Sequence, residues 1–359
     1  MKRLSSLDYL RGLAAFGVMV FHYSMWNFGL FKAEDFLGRV GLYGVAIFYV
    51  LSGITLYHVY FDKIGSPSAA GLKDFAIKRI FRIFPLLWLL SFLTLVLKKD
   101  VFATEDIILN FTGLFSVYHW KESITYGGWS IANELAFYLF FPVFILLTKR
   151  SKWLFAAACA GLLAIYVWFA FRRLDSTWPL GDYIRDNKNP WQDYTNPLNQ
   201  VVFFLSGYLI GHLSRHLTVP KAVNFALLIM SLAVFIYYPA KDDSMHLITG
   251  IARVVFTVVC IAICLAFYKT DFGLPGPLHR AFSFLGDISY ALYLAHPLIW
   301  YVLSVYLKKY YFLLSPSLRL VAGFSASLVV AYVLHQLLEL PFMRLGKRLS
   351  KRTAGAKEW

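Results

Sequence analysis

Long apolar runs recur along the whole chain, and they constrain its fold more than any other feature. A run of about 18 or more apolar residues is long enough for a helix to cross the hydrocarbon core of a bilayer. The composition agrees, because 59% of the residues are hydrophobic and only 15% are charged. The runs are continuous rather than alternating, which argues against a transmembrane β-barrel. The sequence therefore predicts an all-α, polytopic membrane helix bundle.

The positions of these runs predict about ten transmembrane helices. An even number of spans places both termini on one side, and the majority of the lysines and arginines then lie on that side, which we assign to the cytoplasm. The piece 106–115 is too short to span and is predicted to be re-entrant or interfacial. The loop 172–197 is predicted to be either an ordered cap or a flexible lid. The predicted spans are 7–29, 41–61, 83–98, 129–148, 153–171, 198–214, 222–238, 247–267, 285–306 and 320–338.

The net charge of +15 is concentrated in short loops between the runs and in the C-terminal tail. That distribution is typical of topology signals at a membrane with a negative inner leaflet, and it argues against nucleic-acid binding. We expect one membrane domain over 1–344 and a basic cytoplasmic tail over 345–359. No small-residue cleavage site follows the first span, so we do not expect a removable signal peptide. The three cysteines lie in apolar runs, and no metal site is expected.

The first predicted span, "LDYLRGLAAFGVMVFHY", carries Asp8, Arg11 and His22. Arg11 and His22 are eleven residues apart, which returns to within about 20° of one helix face and separates them by roughly 16 Å. Ala15 and Val18 lie between them on this stripe, which predicts room for a narrow group. Ionisable side chains in the hydrocarbon are costly, so function is the default hypothesis. The alternative is that Arg11 reaches the interface and pairs with Asp8.

Several motifs together resemble the acyltransferase-3 family of integral membrane O-acyltransferases. The Arg and His of the first span resemble the opening motif of that family. Further segments are similar to its landmarks and follow in the same order. They are "GVAIFYVLSG" (44–53), "KRIFRIFP" (78–85), "GGWSIANELAFY" (127–138), "GDISYALYLAHPLI" (286–299) and, more weakly, "ELPFMR" (339–344).

The resemblance implies a short acyl-coenzyme A, usually acetyl-CoA, as the donor substrate on the cytoplasmic side. It implies an acceptor hydroxyl on a glycan or a lipid-linked saccharide, and we expect a bacterial cytoplasmic (inner) membrane protein. His22 suits the general base, because an imidazole titrates near neutrality. Lys78, Arg79 and Arg82 are expected to bind the donor phosphates, and Arg11 to steady the pantetheine arm or the thioester oxygen. The alternative for the basic cluster is a topology role alone. No soluble domain is expected after the tenth span.

The fourth and ninth predicted spans carry further candidates. Glu134 either orients His22, protonates a leaving group or pairs with a neighbouring cation. Its neighbours Ser130 and Tyr138 share its helix face at i, i+4 and i+8. In the ninth span Ser289, Tyr293 and His296 share a face, with Pro297 freeing backbone carbonyls. These groups either line a substrate tunnel or serve packing and hydrogen bonding.

Two other classes of function compete with the acyltransferase. A transporter or flippase would use Arg11, His22 and Glu134 as intramembrane substrate or proton-relay groups. No paired halves or repeated broken helices support that class in the sequence. A membrane sensor or scaffold would leave the intramembrane charges unexplained. The oligomeric state is not indicated by the sequence.

Overall fold

The computed structural model describes residues 4–64, 69–98, 102–120, 122–173, 190–240 and 244–355, and these ranges contain helices and no strand. The all-α prediction is confirmed. The helices are α1 (Ser5–Phe28), α2 (Phe36–Tyr60), α3 (Ala69–Lys98), α4 (Thr104–Thr112), α5 (Gly128–Arg150), α6 (Lys152–Trp168), α7 (Pro190–Tyr194), α8 (Pro197–Ser214), α9 (Lys221–Tyr237), α10 (Gly250–Lys269), α11 (Gly276–Tyr301), α12 (Lys308–Tyr311), α13 (Pro316–Leu334) and α14 (Leu340–Gly355).

Seven helices in the described ranges are long and apolar enough to cross a membrane, so the chain is an integral membrane protein. They include α2, α3, α5, α6 and α10, together with the continuous stretches that begin at Gly276 and Pro316. A further apolar helix, α9, is shorter. Long helices also stand at the first and sixth predicted spans, as α1 and α8. The count of about ten spans stays a prediction.

Three predicted segments differ in extent from the structure. The predicted third span, 83–98, is the second half of α3, because its basic N-terminal segment continues the same helix from Ala69. The short piece 106–115 forms α4 and a 3₁₀ turn, Leu114–Ser116. Most of the loop 172–197 lies outside the described residues. The last predicted span continues through a π-helical segment, His335–Glu339, into α14, so helix runs across the proposed domain boundary at 344. That boundary stays a prediction.

The chain divides into two compact units, and each is described by itself. The first contains described residues of 1–57 and 156–289, and the second those of 58–155 and 290–359. Apolar side chains are exposed on helices of both units, as expected for surfaces that face lipid. Examples are Leu139, Ile229, Val258 and Val329.

In the first unit, small residues bring α1 and α2 together as an antiparallel pair. A Cβ atom at Gly44 would lie 2.6 Å from Val18 Cγ2, and one at Gly41 would lie 2.5 Å from the Phe21 ring. Helices in a membrane associate largely through van der Waals packing, because lipid tails are as apolar as leucine side chains. Glycine allows two helices to approach closely and so favours this packing. Gly41 and Gly44 therefore allow the close packing of α1 against α2.

Two backbone-to-backbone crossings complete that unit. Gly12 of α1 meets α11 at Gly286, where an added Cβ would lie 2.6 Å from the Gly286 nitrogen. Gly53 of α2 meets α8, where an added Cβ would collide with the Phe204 carbonyl oxygen. These contacts fix the point along α1 at which it crosses α11 and the point along α2 at which it crosses α8.

In the second unit, α14 packs along the first half of α3. The Phe81 and Phe342 rings stack with centroids 6.4 Å apart. Gly346 makes room for Phe81, since an added Cβ would lie 2.7 Å from Phe81 Cβ. The Ser350 hydroxyl donates to the Asp74 carboxylate. The basic C-terminal segment is therefore held against the basic segment of α3.

Candidate active site

Arg11 lies near the start of α1 in the first unit and is held by two neighbours. Its Nη1 atom donates to Asp8 Oδ1 at 2.9 Å, and both side chains retain 18% exposure. Its Nη2 atom lies 3.3 Å from Thr55 Oγ1 of α2. The pairing of Arg11 with Asp8, one of the two interpretations of the sequence, is therefore present. It leaves the role of Arg11 in catalysis a prediction.

His22 lies three helical turns further along α1, among aromatic rings. Its imidazole stacks on Trp26, with centroids 5.3 Å apart and an interplanar angle of 19°. The Phe21 ring lies 5.0 Å away, and the imidazole is hydrogen-bonded to the backbone of Val18. A hydrogen bond to the backbone fixes the rotamer of the ring, and the catalytic role of His22 stays a prediction.

The stripe between Arg11 and His22 is packed rather than open. Ala15 and Val18 are 0% and 1% exposed, and Val18 lies against the Gly44 position of α2. The predicted narrow room along this stripe is therefore filled by helix packing.

The three residues of the predicted donor cluster lie on α3 in the second unit, in three different environments. Lys78 Nζ forms an ion pair with Asp74 Oδ1 at 2.5 Å, and that carboxylate also accepts the Ser350 hydroxyl. Arg82 Nη1 lies 3.6 Å from Met343 Sδ of α14. On the helical wheel Lys78 lies about 40° to one side of Arg82 and Arg79 about 60° to the other. The ion pair with Asp74, and not the helix face, therefore sets Lys78 apart.

Arg79 lies between two tyrosine rings. The centroids of Tyr60 and Tyr138 are 5.8 Å and 5.7 Å from its Cζ atom, which is the range of cation–π contacts. Phe75 packs edge-on against both tyrosine rings, at 5.1 Å and 5.8 Å. We name the four residues Tyr60, Phe75, Arg79 and Tyr138 the arginine cage. The sequence did not indicate Tyr60, which belongs to the last turn of α2.

Glu134 is joined to the arginine cage through Tyr138. The Tyr138 hydroxyl donates to Glu134 Oε1 at 2.5 Å, and it is also hydrogen-bonded to Arg79. The predicted i, i+4 relation of Glu134 and Tyr138 is therefore a direct contact. Arg79 also lies within electrostatic reach of Glu134. The three roles considered for Glu134 stay predictions.

Ser130 and Tyr293, two of the predicted tunnel residues, meet at the start of α5. The Ser130 hydroxyl donates to the Gly127 carbonyl oxygen at 2.8 Å, and the Tyr293 hydroxyl lies 3.5 Å from the same oxygen. Gly127 has φ 72°, a left-handed conformation that glycine adopts without strain. This turn places two hydroxyl groups at the first turn of the helix that carries Glu134.

Ser289 and His296 bind within their own helix, α11. The Ser289 hydroxyl donates to the Gly286 carbonyl oxygen at 2.8 Å. His296 Nδ1 lies 2.9 Å from the Leu292 carbonyl oxygen, and each of the two side chains is 1% exposed. These contacts fit the packing and hydrogen-bonding interpretation, and a tunnel-lining role for either residue stays a prediction.

A second ionisable pair of this unit was missed in the sequence. His335 Nδ1 lies 2.5 Å from Glu339 Oε2, and both side chains are less than one tenth exposed. Tyr290 lies within electrostatic reach of Glu339, Glu134 and Arg82. The i, i+4 spacing of His335 and Glu339 at the end of an apolar run was the signal that could have found them.

The described residues contain no group of three histidines, cysteines or acids that could hold a metal ion. His212 Nδ1 lies 3.3 Å from the Tyr57 hydroxyl.

The sequence pattern of the acyltransferase domain known as acyltransferase 3 matches residues 4–336. The chain belongs to this acyltransferase family. The resemblance predicted from the motifs is thereby confirmed, and the Arg11, Arg79, Glu134 and Tyr293 positions all lie within the matched range.

Individual relatives carry related names. A Staphylococcus aureus (strain COL) protein named "Putative O-acetyltransferase" is 29% identical over 176 residues, which cover 43% of this chain and 27% of that protein. "Peptidoglycan O-acetyltransferase OatA" of Listeria monocytogenes is 28% identical over 201 residues, 50% of this chain and 30% of that protein. A protein of Acidianus two-tailed virus named "Putative acetyltransferase" is 25% identical over 308 residues, 82% of this chain and 83% of that protein. No solved structure matches this acyltransferase significantly.

The matched regions thus span less than a third of the two longer bacterial relatives.

Proposed function

We propose that this acyltransferase is a membrane O-acetyltransferase of the bacterial cytoplasmic membrane. It moves an acetyl group from acetyl-CoA, or another short acyl-CoA, to a hydroxyl of a glycan or lipid-linked saccharide. The family match over residues 4–336 is the observation that carries the proposal. The name of the Listeria relative, with its peptidoglycan acceptor, supports a glycan rather than a small soluble alcohol.

The reaction needs a base, an acyl donor and a leaving group. An imidazole nitrogen of His22 takes the proton of the acceptor hydroxyl while the oxygen attacks the thioester carbonyl carbon. The new C–O bond forms as the C–S bond breaks, and coenzyme A leaves as a thiolate. The imidazolium then returns its proton to the thiolate sulfur. His22 ends the cycle neutral, as a general base must.

The donor phosphates are assigned to the shared face of Arg79 and Arg82. Guanidinium groups bind phosphate oxygens through charge-assisted hydrogen bonds, and these two residues lie at i, i+3 on α3. Arg11 is assigned to the thioester or pantetheine, with Asp8 and Thr55 fixing its guanidinium.

The test supplies purified full-length protein with acetyl-CoA radiolabelled in the acetyl group and a glycan acceptor. The wild type is expected to label the acceptor and release coenzyme A. His22→Ala is expected to lower the rate by about a hundredfold or more, since general base catalysis contributes that much. His216→Ala, at an exposed histidine, is the matched control.

Two results would contradict the proposal. Transfer that survives His22→Ala at the wild-type rate would remove His22 from the chemistry. Movement of a glycan or lipid across vesicles without coenzyme A release would instead favour the transporter class.

A further inference from the structure

The arginine cage treats its two tyrosines differently. The Tyr138 hydroxyl donates to Glu134 and is bonded to Arg79. The Tyr60 hydroxyl is buried and has no hydrogen-bond partner in the described part of the chain, and the same is true of Arg79 Nε. The Tyr138 hydroxyl of the cage is therefore hydrogen-bonded, whereas the Tyr60 hydroxyl is not.

Both unsatisfied atoms are hydrogen-bond donors. A buried donor without an acceptor costs free energy, and native proteins pair nearly all such groups. Phe75 and Phe141, the aromatic side chains that pack against the Tyr60 ring, offer no acceptor atom. Within the described ranges the protein supplies no acceptor for these two donors.

The local charge favours an anionic acceptor. Lys63 Nζ lies 5.5 Å and Arg79 Cζ 5.8 Å from the centroid of the Tyr60 ring, so two cations lie beside this side chain. The carboxylate of Glu134, next to the cage, accepts a hydrogen bond from the Tyr138 hydroxyl. Tyr60 itself is only 1% exposed, whereas Lys63 is exposed and Arg79 is partly so, which leaves the anion an approach over the two cations.

We propose that Tyr60 is a donor-binding residue, whose hydroxyl and the Nε atom of Arg79 together bind a phosphate oxygen of the acyl-CoA. The assignment rests on the proposed function, and it adds a residue of α2 to a phosphate site otherwise built from α3. No covalent step involves Tyr60. Its contribution is to donor affinity and not to the transfer itself.

Tyr60→Phe removes one oxygen atom and keeps the ring that packs against Arg79. We expect the KM for acetyl-CoA to rise about tenfold, because a hydrogen bond to a charged group is lost, with kcat within about twofold of wild type. Tyr237→Phe, at a side chain that is 80% exposed, is the matched control and should leave both constants unchanged. An unchanged KM in a folded Tyr60→Phe protein would overturn the assignment.

Three donors separate the phosphates from the rest of coenzyme A. They are acetyl-CoA, its 3′-dephospho form and S-acetylpantetheine, which has no phosphate. With S-acetylpantetheine we expect Tyr60→Phe and wild type to have the same KM for the donor. If the KM increase caused by Tyr60→Phe is already absent with the 3′-dephospho form, the Tyr60 hydroxyl contacts the 3′-phosphate. If the increase persists with the 3′-dephospho form, the hydroxyl contacts the pyrophosphate. A KM increase that persists with S-acetylpantetheine would show that the Tyr60 hydroxyl contacts the pantetheine arm, and it would overturn the phosphate assignment.

Equilibrium binding of coenzyme A keeps this test separate from the test of function. A wild type that binds coenzyme A but transfers no acetyl group would end the proposed function, while Tyr60→Phe should still weaken binding about tenfold. If Tyr60→Phe fails to fold, Arg79→Lys serves instead, because it keeps the charge and removes the Nε donor. Equal affinity in Arg79→Lys and wild type would also overturn the proposal.

Discussion

At the scale of single residues, the three cations of the predicted donor cluster separate into different roles. Lys78 is held in an ion pair with Asp74, whereas Arg79 lies in an aromatic cage and Arg82 lies beside a methionine of α14. A cation that is already neutralised has less to offer an incoming phosphate. The sequence pattern alone treats the three residues as equivalent.

We therefore predict unequal effects of neutralising them. Arg79→Gln and Arg82→Gln should each raise the KM for acetyl-CoA by about tenfold or more, with a smaller change in kcat. Lys78→Gln should change that KM by less than about twofold and lower stability only slightly, because its ion pair is partly exposed. Steady-state kinetics over a donor series measures all three. Equal increases for the three variants would show that Lys78 leaves Asp74 to bind the donor.

Arg253 of α10 is a charged residue that serves no predicted chemistry. It is 0% exposed, its Nη2 donates to Asn199 Oδ1 at 2.9 Å, and its Nε and Nη1 have no partner among the described residues. The rings of Tyr166, Tyr194 and Phe203 lie within 6 Å of its Cζ atom. Cation–π contacts thus replace most of the hydrogen bonds that a buried guanidinium requires.

The size of this side chain should matter more than its charge. Arg253→Met should change the free energy of unfolding by no more than about 1 kcal/mol, because an apolar residue of similar length can fill the cage. Arg253→Ala should lower it by about 3 kcal/mol, because it leaves a cavity between three rings. Equilibrium unfolding in detergent micelles compares the two. Equal losses in both variants would mean that the cation–π contacts carry the stability.

At the scale of helices, glycine decides where α2 crosses α8. A Cβ atom at Gly53 would collide with the Phe204 carbonyl oxygen, and backbone cannot move aside as a flexible side chain does. Gly161, on α6, has nothing within 4 Å of the same added atom. The two positions look alike in the sequence, since each is a glycine inside an apolar run.

Alanine at these glycines should have opposite effects. Gly53→Ala should lower the free energy of unfolding by about 1–3 kcal/mol through overpacking. Gly161→Ala should raise it by about 0.5–1 kcal/mol, because alanine is the better helix former. Thermal unfolding of the purified variants tests both signs. A Gly53→Ala protein as stable as wild type would show that the crossing can widen at little cost.

At the scale of the whole molecule, the number of spans fixes the topology. Ten spans would place both termini on the same side of the membrane, whereas an odd number, such as the seven helices that are most clearly apolar, would place them on opposite sides. The three further helices, α1, α8 and α9, therefore decide the topology between them.

We predict that both termini are cytoplasmic. Fusing a reporter that is active on only one side of the membrane to either terminus should report the cytoplasm in both cases. A third fusion within 172–197 should report the outside and serves as the internal control. A cytoplasmic N-terminus with an external C-terminus would exclude any even number of spans.

The sequence by itself determined that this chain is an all-α membrane protein of the acyltransferase family, because apolar run length and short local motifs need no knowledge of distant contacts. It also placed Glu134 and Tyr138 on one helix face, since helical periodicity fixes neighbours at i, i+4. Only the tertiary structure decided that Val18 packs on Gly44, that Ser350 binds Asp74, and that Tyr60 covers Arg79. Each of these contacts joins two different helices. Periodicity along one helix carries no information about which side chain a neighbouring helix brings to meet it.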